Sequence, residues 1–288
     1  MAHSSKRLDT STPVNHVCSI PIVLTIAGSD SSGGAGIQAD IKALSATGSY
    51  ACSVITAITA QNTLGVHAVF PIPLEHIEKQ LDAVFTDLNV VAVKVGMLAD
   101  AAIIKTVVAK INQYQPEFLV VDPVMVSTSG DLLVPLSALG LLKSDLLPLA
   151  NIITPNLPEA AALIGSMVPS NQAEMLNMVT DLRQLGAQAI LLKGGHLHND
   201  EDSTDLLILP VNVHLLTAKR IDTRNTHGTG CTLSSAIASY LAQGKDLLAA
   251  VQLSKHYISQ AIAQADDLDI GKGQGPIHHF FKSHADVY

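Results

Sequence analysis

Short apolar runs alternate with helical patterns from one end of the chain to the other. Strand candidates at residues 22–27, 52–57, 90–95, 118–121, 151–153 and 189–192 are rich in β-branched residues, and several are apolar at every position. That pattern marks strands buried on both faces. Between them apolar residues recur at spacings of three and four, which predicts helices near 36–47, 74–87, 100–113, 137–147, 156–165, 171–185, 229–242 and 246–265. The alternation predicts an α/β fold with a mostly parallel sheet covered by helices on both sides. A weaker pair, 206–209 and 213–216, brackets Pro210 and reads as a hairpin or edge element. Ligands in such sheets bind beyond the carboxyl ends of the strands. The residues that follow strands therefore carry the functional argument.

Composition narrows the classes. The chain has 288 residues, 48% of them hydrophobic, enough for a large core. Formal net charge is −8 and no Lys/Arg-rich stretch occurs, so nucleic-acid binding has little electrostatic basis. Aromatic residues are only 3% and Trp is absent, which also removes stacking platforms. Cys18, Cys52 and Cys231 share no metal-like spacing and are odd in number, which fits a reducing cytoplasm. Residues 1–19 are polar and lack the apolar segment of a signal peptide; they read as a flexible tail before a single domain over 20–288. No apolar run approaches the ~18 residues that span a bilayer, so no membrane role is expected. His196-x-His198 and His278-His279 lack a third ligand at a recognisable spacing and read as solvated or core histidines.

The richest segment is Asn225-Thr226-His227-Gly228-Thr229-Gly230-Cys231-Thr232-Leu233. A glycine turn here opens an amphipathic helix, whose first amides and dipole form a cradle for phosphate or a developing oxyanion. A cysteine in that first turn is expected to have a lowered pKa. The plainer alternative is a glycine turn with an inert buried thiol.

The first strand runs into Gly28-Ser29-Asp30-Ser31-Ser32-Gly33-Gly34-Ala35-Gly36-Ile37-Gln38-Ala39-Asp40. Gly28 and Gly33 have the spacing of a phosphate-binding P-loop, but Gly34 and Ala35 stand where Lys and Ser/Thr are required. Gly34, Gly36 and Ala39 fit a relaxed dinucleotide fingerprint without the acidic ribose ligand ~20 residues later. A dinucleotide-dependent oxidoreductase is therefore disfavoured. Asp40, one turn inside the following helix, either serves the helix dipole or points a carboxylate at a ligand.

The second strand leads to Thr59-Ala60-Gln61-Asn62-Thr63, where an amide can pair with a heterocycle edge or simply lie in a surface turn. Asp122, at the end of the fourth strand, suits Mg²⁺ or an Asp-Pro turn. In Thr154-Pro155-Asn156-Leu157-Pro158-Glu159, Asn156 and Glu159 match a capping box, which also sets a carboxylate at the active rim. Lys193, ahead of Gly194-Gly195, puts a cation at a strand end.

These motifs, with Thr56-Ala57-Ile58-Thr59-Ala60-Gln61-Asn62, Lys94-Val95-Gly96-Met97-Leu98, Asp122-Pro123-Val124-Met125 and Lys193-Gly194-Gly195-His196, resemble in order the ribokinase-like superfamily. Within it the chain most resembles the bacterial hydroxymethylpyrimidine/phosphomethylpyrimidine kinases of thiamine synthesis. The resemblance implies a three-layer α/β/α sandwich, a homodimer and ATP-dependent phosphorylation of a pyrimidine's hydroxymethyl group, then of its monophosphate. It implies that Gln61 pairs with the pyrimidine, with Gly28, Asp40, Met97 and Val124 in the same pocket. Asp122 and Glu159 would hold Mg²⁺, Lys193 would contact ATP phosphates with Asn156 and Thr229 nearby, and Gly228, Thr229 and Gly230 would form the anion hole. Much of the superfamily has an aspartate base where Cys231 stands here, and the resemblance implies that the pyrimidine kinases share this cysteine. Ser31 replaces the family's usual proline, a change expected to alter loop stiffness more than chemistry. A pyridoxal kinase of the same architecture is the alternative, and a non-catalytic nucleotide sensor a more distant one.

Overall fold

The computed structural model describes residues 20–125, 136–195, 197 and 202–282. The expected tail at 1–19, Cys18, His196 and His198 lie outside them. The strands are β1 (Ile22–Asp30), β2 (Tyr50–Asn62), β3 (Gly65–Pro71), β4 (Val90–Val95), β5 (Phe118–Val121), β6 (Ile152–Ile153), β7 (Ile190–Leu192), β8 (Asp202–Ile208) and β9 (Val213–Lys219). The helices are α1 (Gly36–Ala46), α2 (Leu74–Asp87), α3 (Ala101–Tyr114), α4 (Leu136–Leu141), α5 (Leu157–Ile164), α6 (Gln172–Asn177), α7 (Val179–Arg183), α8 (Thr229–Ala242) and α9 (Leu247–Ala263).

Among the described residues the strands form one nine-stranded sheet in the order β3-β2-β1-β4-β5-β6-β7-β8-β9. From β2 to β7 neighbours are parallel, while β3, β8 and β9 pair antiparallel. Side chains alternate across the sheet as the pleat requires. Leu24, Val93, Val121 and Ile153 join the core under α2, α3, α5 and α7. Val23, Ala92, Val120 and Ile152 join the core under α1, α8 and α9. The result is the expected three-layer sandwich, with apolar strands buried on both faces.

The expected hairpin is present as β8–β9 at one edge of the sheet. The other edge departs from expectation. Residues 59–62 are strand: β2 continues to Asn62, the turn falls only at Thr63 and Leu64, and β3 returns beside it. The helix expected at 137–147 changes to π and then 3-10 geometry after Leu141, and that expected at 171–185 breaks between Asn177 and Val179.

After β1 the chain crosses to β2 on one side and β4 on the other. Such a reversal opens a crevice at the strand ends. The ends of β1, β4, β5 and β7 and the start of α8 surround it.

Candidate active site

The crevice is a cleft of about 1030 Å³. It collects Gly28, Gln61, Met97, Asp122, Val124, Asn156, Glu159, Lys193 and the turn 228–231 along its walls. Asp40 is the one predicted site residue it does not include. The Asp40 side chain is fully buried, and its oxygens accept from Thr25 Oγ1 (2.6 Å), Ser235 Oγ (2.8 Å) and Lys94 Nζ (2.8 and 2.9 Å). A carboxylate so occupied has no free lone pair aimed at a ligand. Asp40 instead anchors Lys94, the residue that sequence reasoning missed. Its signal was available: Lys94 is the lone charge in the apolar strand β4. The pairing outweighs the burial that would otherwise drive the ammonium to neutrality, and holds Lys94 charged.

At the phosphate end, Asp122 Oδ1 accepts from Thr154 Oγ1 at 3.0 Å and Lys193 Nζ at 3.1 Å. Burial opposes the Lys193 charge, but Asp122 and Glu159 outweigh it and raise its pKa. Glu159 caps α5 as the sequence predicts: its carboxylate accepts from Asn156 N at 2.8 Å, and Asn156 Oδ1 accepts from Glu159 N at 2.8 Å. Burial pushes the Glu159 carboxyl up, Lys193 pulls it back, and the neighbouring Asp122 adds to the rise. Two buried carboxyl groups beside one lysine at the rim of the cleft suit a hard divalent cation completed by water and phosphate oxygens. Among the described residues no cluster of three or more His, Cys, Asp or Glu could hold a metal by itself.

The turn at 226–230 opens α8 with Gly228 as N-cap at φ 82°. A Cβ on Gly228 would collide with the Gly34 carbonyl, so the two glycine turns interlock across the cleft. A Cβ on Gly230 would lie 3.4 Å from both Asp122 Oδ2 and Lys193 Nζ, so this turn sits directly over the phosphate end. The Thr229 amide and hydroxyl already donate to the Thr226 carbonyl at 3.3 and 2.5 Å. Of the three residues expected to supply the anion hole, Thr229 is therefore turned inward here.

Cys231 follows in the first turn of α8 and lines the cleft. Its thiol departs from expectation. Burial raises its pKa to about 11, against the pull of Lys94, with Asp40 and Asp122 adding to the rise. The helix start does not by itself yield a resting thiolate, because burial and the nearby Asp40 and Asp122 outweigh the pull of Lys94.

Asp30 and His227, quoted in the motifs but given no role, tie the site together. Asp30 Oδ1 accepts from Ser32 N and Oγ (2.8 and 2.7 Å). Its Oδ2 accepts from Gly34 N (3.2 Å), Ala35 N (2.8 Å) and His227 Nε2 (2.9 Å). Burial would raise the Asp30 pKa, but these donors outweigh it and hold it at about 2. Gln61 sits at a register shift in the β2–β3 ladder, which re-aims its side chain into the cleft. Ser31 Oγ accepts from Gln61 N at 2.9 Å and donates to Gln61 O at 2.7 Å. The serine thus does more than loosen the loop: it fastens it to the strand end.

A buried cation under a glycine-turn helix start, with a carboxylate–lysine pair in the same open cleft, suits a small-molecule kinase, the class that the resemblance to the ribokinase-like superfamily implies. The sequence profile of phosphomethylpyrimidine kinases matches residues 30–278. The chain is 51% identical over 261 residues to the hydroxymethylpyrimidine/phosphomethylpyrimidine kinase of Rhizobium meliloti, covering 91% of this chain and 97% of that one. It superposes on the phosphomethylpyrimidine kinase of Clostridium difficile with a TM-score of 0.74 at 48% identity, covering 84% and 99% of the two chains. It also superposes on the pyridoxal kinase of Staphylococcus aureus in complex with AMP-PCP and pyridoxal, with a TM-score of 0.84 at 32% identity over 93% and 96%. The chain belongs to the phosphomethylpyrimidine kinase family.

Proposed function

We propose that the chain transfers the γ-phosphoryl group of ATP to the hydroxymethyl group of 4-amino-5-hydroxymethyl-2-methylpyrimidine, and then phosphorylates the monophosphate to the diphosphate for thiamine synthesis. The observation that carries this reading is the order of groups along one cleft. Gln61 lies beside His227, and Gly230, three residues on, lies over Asp122 and Lys193, so one turn bridges the amide and the carboxylate–lysine end. Family membership and the activity named for its relatives support it.

The ATP phosphates lie against Lys193 and beneath the Gly228 and Gly230 amides at the start of α8, where the helix dipole favours the charge on the transferring group. Ile221, Leu233, Ile258 and Ile262 offer an apolar wall for the base. Asp122 and Glu159 would hold Mg²⁺, which supplies neutralising charge to the phosphoryl oxygens when bound. Gln61 pairs with the pyrimidine, and Met97, packed over Gly28, covers its ring. The transition state is loose, so the alcohol keeps its proton until late. Cys231, through its minor thiolate form, accepts that proton. The second step needs no base, because its acceptor is already anionic.

A second reading, pyridoxal kinase, is favoured by the likeness to the Staphylococcus aureus enzyme. A coupled ADP-release assay with hydroxymethylpyrimidine and pyridoxal side by side, with products identified by mass, separates the two. Higher kcat/KM for the pyrimidine and a diphosphate product are expected. A strong preference for pyridoxal overturns the reading.

The proposed dimer would use the β2–β3 edge, where Ile58, Leu64, Val69 and Phe70 are exposed. Sedimentation at micromolar concentration tests it, and a monomer there would refute it.

A further inference from the structure

Gln61 offers a terminal amide whose two ends are nearly identical in shape but opposite in hydrogen bonding. Its neighbours determine which way round it stands. Thr59 Oγ1 lies 2.9 Å from the Ser29 carbonyl oxygen and 3.1 Å from the end of the Gln61 amide assigned as Oε1. A hydroxyl has one proton and a carbonyl only accepts. That proton goes to Ser29, so Thr59 Oγ1 can face Gln61 only as an acceptor.

The other end of the amide, assigned as Nε2, lies 3.4 Å from His227 Nε2. The same ring nitrogen lies 2.9 Å from Asp30 Oδ2. Asp30, with Ser32, Gly34 and Ala35 also donating to it, is a carboxylate and accepts only. His227 Nε2 therefore carries a proton, which it donates in a hydrogen bond to Asp30, and it turns the positive edge of that N–H, with no lone pair, toward Gln61. With nitrogen toward His227 and oxygen toward Thr59, each contact sets like against like. A half-turn of the amide lets Nε2 donate to Thr59 Oγ1 and sets Oε1, in place of an N–H group, against the positive N–H edge of His227. One amide N–H and one lone pair then remain for a ligand.

We propose that His227, held by Asp30, and Thr59 are positioning residues that lock the amide polarity of Gln61, and that this polarity makes the pocket select a ring nitrogen beside an exocyclic amine over the reversed edge of an oxo-pyrimidine. The 4-oxo edge presents an N–H donor beside a carbonyl acceptor. It requires the opposite amide, which both neighbours oppose. The proposal rests on the reading that Gln61 contacts the pyrimidine ring.

The test compares 4-amino-5-hydroxymethyl-2-methylpyrimidine with its 4-oxo analogue. The readout is the ratio of their kcat/KM values in the wild type, Thr59→Val, His227→Leu, His227→Gln and the Thr59→Val/His227→Leu double variant. Glutamine can return an N–H donor near the position of His227 Nε2. The ratio is expected to fall at least about tenfold in the double variant and to recover in His227→Gln relative to His227→Leu. Most of the change should lie in KM. For a variant that folds but turns over slowly, calorimetric Kd values for the two pyrimidines give the same ratio. Thr59→Val is nearly isosteric and keeps the measurement open if His227→Leu fails to fold. An unchanged ratio in every folded variant overturns the proposal while leaving the kinase reading intact. Wild-type protein that neither phosphorylates nor binds the aminopyrimidine overturns the kinase reading itself.

Discussion

Lys94 Nζ lies 2.8 and 2.9 Å from the two carboxylate oxygens of Asp40, and both side chains are fully buried. Thr25 and Ser235 satisfy the remaining lone pairs, so the pair is embedded in a complete hydrogen-bond set. It lies beneath the helix start that carries Cys231, where Lys94 is the cation that favours the thiolate. The pair gives the floor of the cleft a fixed dipole without net charge.

Removing one partner of this pair strands the other. Asp40→Asn is expected to cost about 3–5 kcal/mol of stability, since a buried charge then lacks its counter-charge. Urea unfolding monitored by circular dichroism measures it. A loss below about 1 kcal/mol would show that Lys94 finds another partner or deprotonates.

Cys231→Ala should separate the two chemical steps. Alcohol phosphorylation is expected to fall about 10²–10⁴-fold, while phosphorylation of the monophosphate changes little. Equal losses would sink the proton-accepting role.

The raised thiol pKa also fixes a pH dependence. Below a pKa of about 11 the thiolate fraction grows with pH. The kcat of the first step should therefore rise between pH 7 and 9 in the wild type, and the rise should vanish in Cys231→Ala. A flat wild-type profile over that range, with chemistry rate-limiting, contradicts the assignment.

Asp30 contributes acid sensitivity to the fold. Its pKa is held at about 2, below the ~3.9 of an unfolded aspartate. A depressed carboxylate stabilises the folded state above the unfolded value, and that contribution disappears as pH falls from about 4 through 2. Asp30→Asn should be less stable at neutral pH and show a shallower loss of thermal stability between pH 5 and 3. Parallel curves for the two proteins would exclude the linkage.

Gly228→Ala probes the interlocked turns. Alanine there meets both a positive φ and the Gly34 carbonyl, so one turn must move. A loss of kcat of at least about 100-fold is expected for both steps, because the displaced amides serve both. Retained activity in a folded Gly228→Ala protein would remove this turn from the phosphoryl site.

Much of this architecture was readable from residue pattern. Fully apolar β-branched runs such as Val90–Val95 declared buried parallel strands, and Asn156 and Glu159 declared their own cap because both partners lie within one turn. The β2–β3 edge was less legible. Its continuation through Thr59 and Gln61 is polar and exposed in part, and resembles a turn until the returning strand is known. The pairing of Asp30 with His227 joins residues almost two hundred positions apart, and no local period reports it.

The sequence alone determined the alternation of elements, the glycine turns and the order of chemical groups along the chain, because each depends on neighbours a few residues away. Tertiary structure decided the electrostatics. It withdrew Asp40 from the ligand and gave it to Lys94, raised the Cys231 thiol where a helix start alone would lower it, and set His227 and Thr59 against the two ends of Gln61. Burial and the distance between charges govern those outcomes, and both exist only once the strands have been brought side by side.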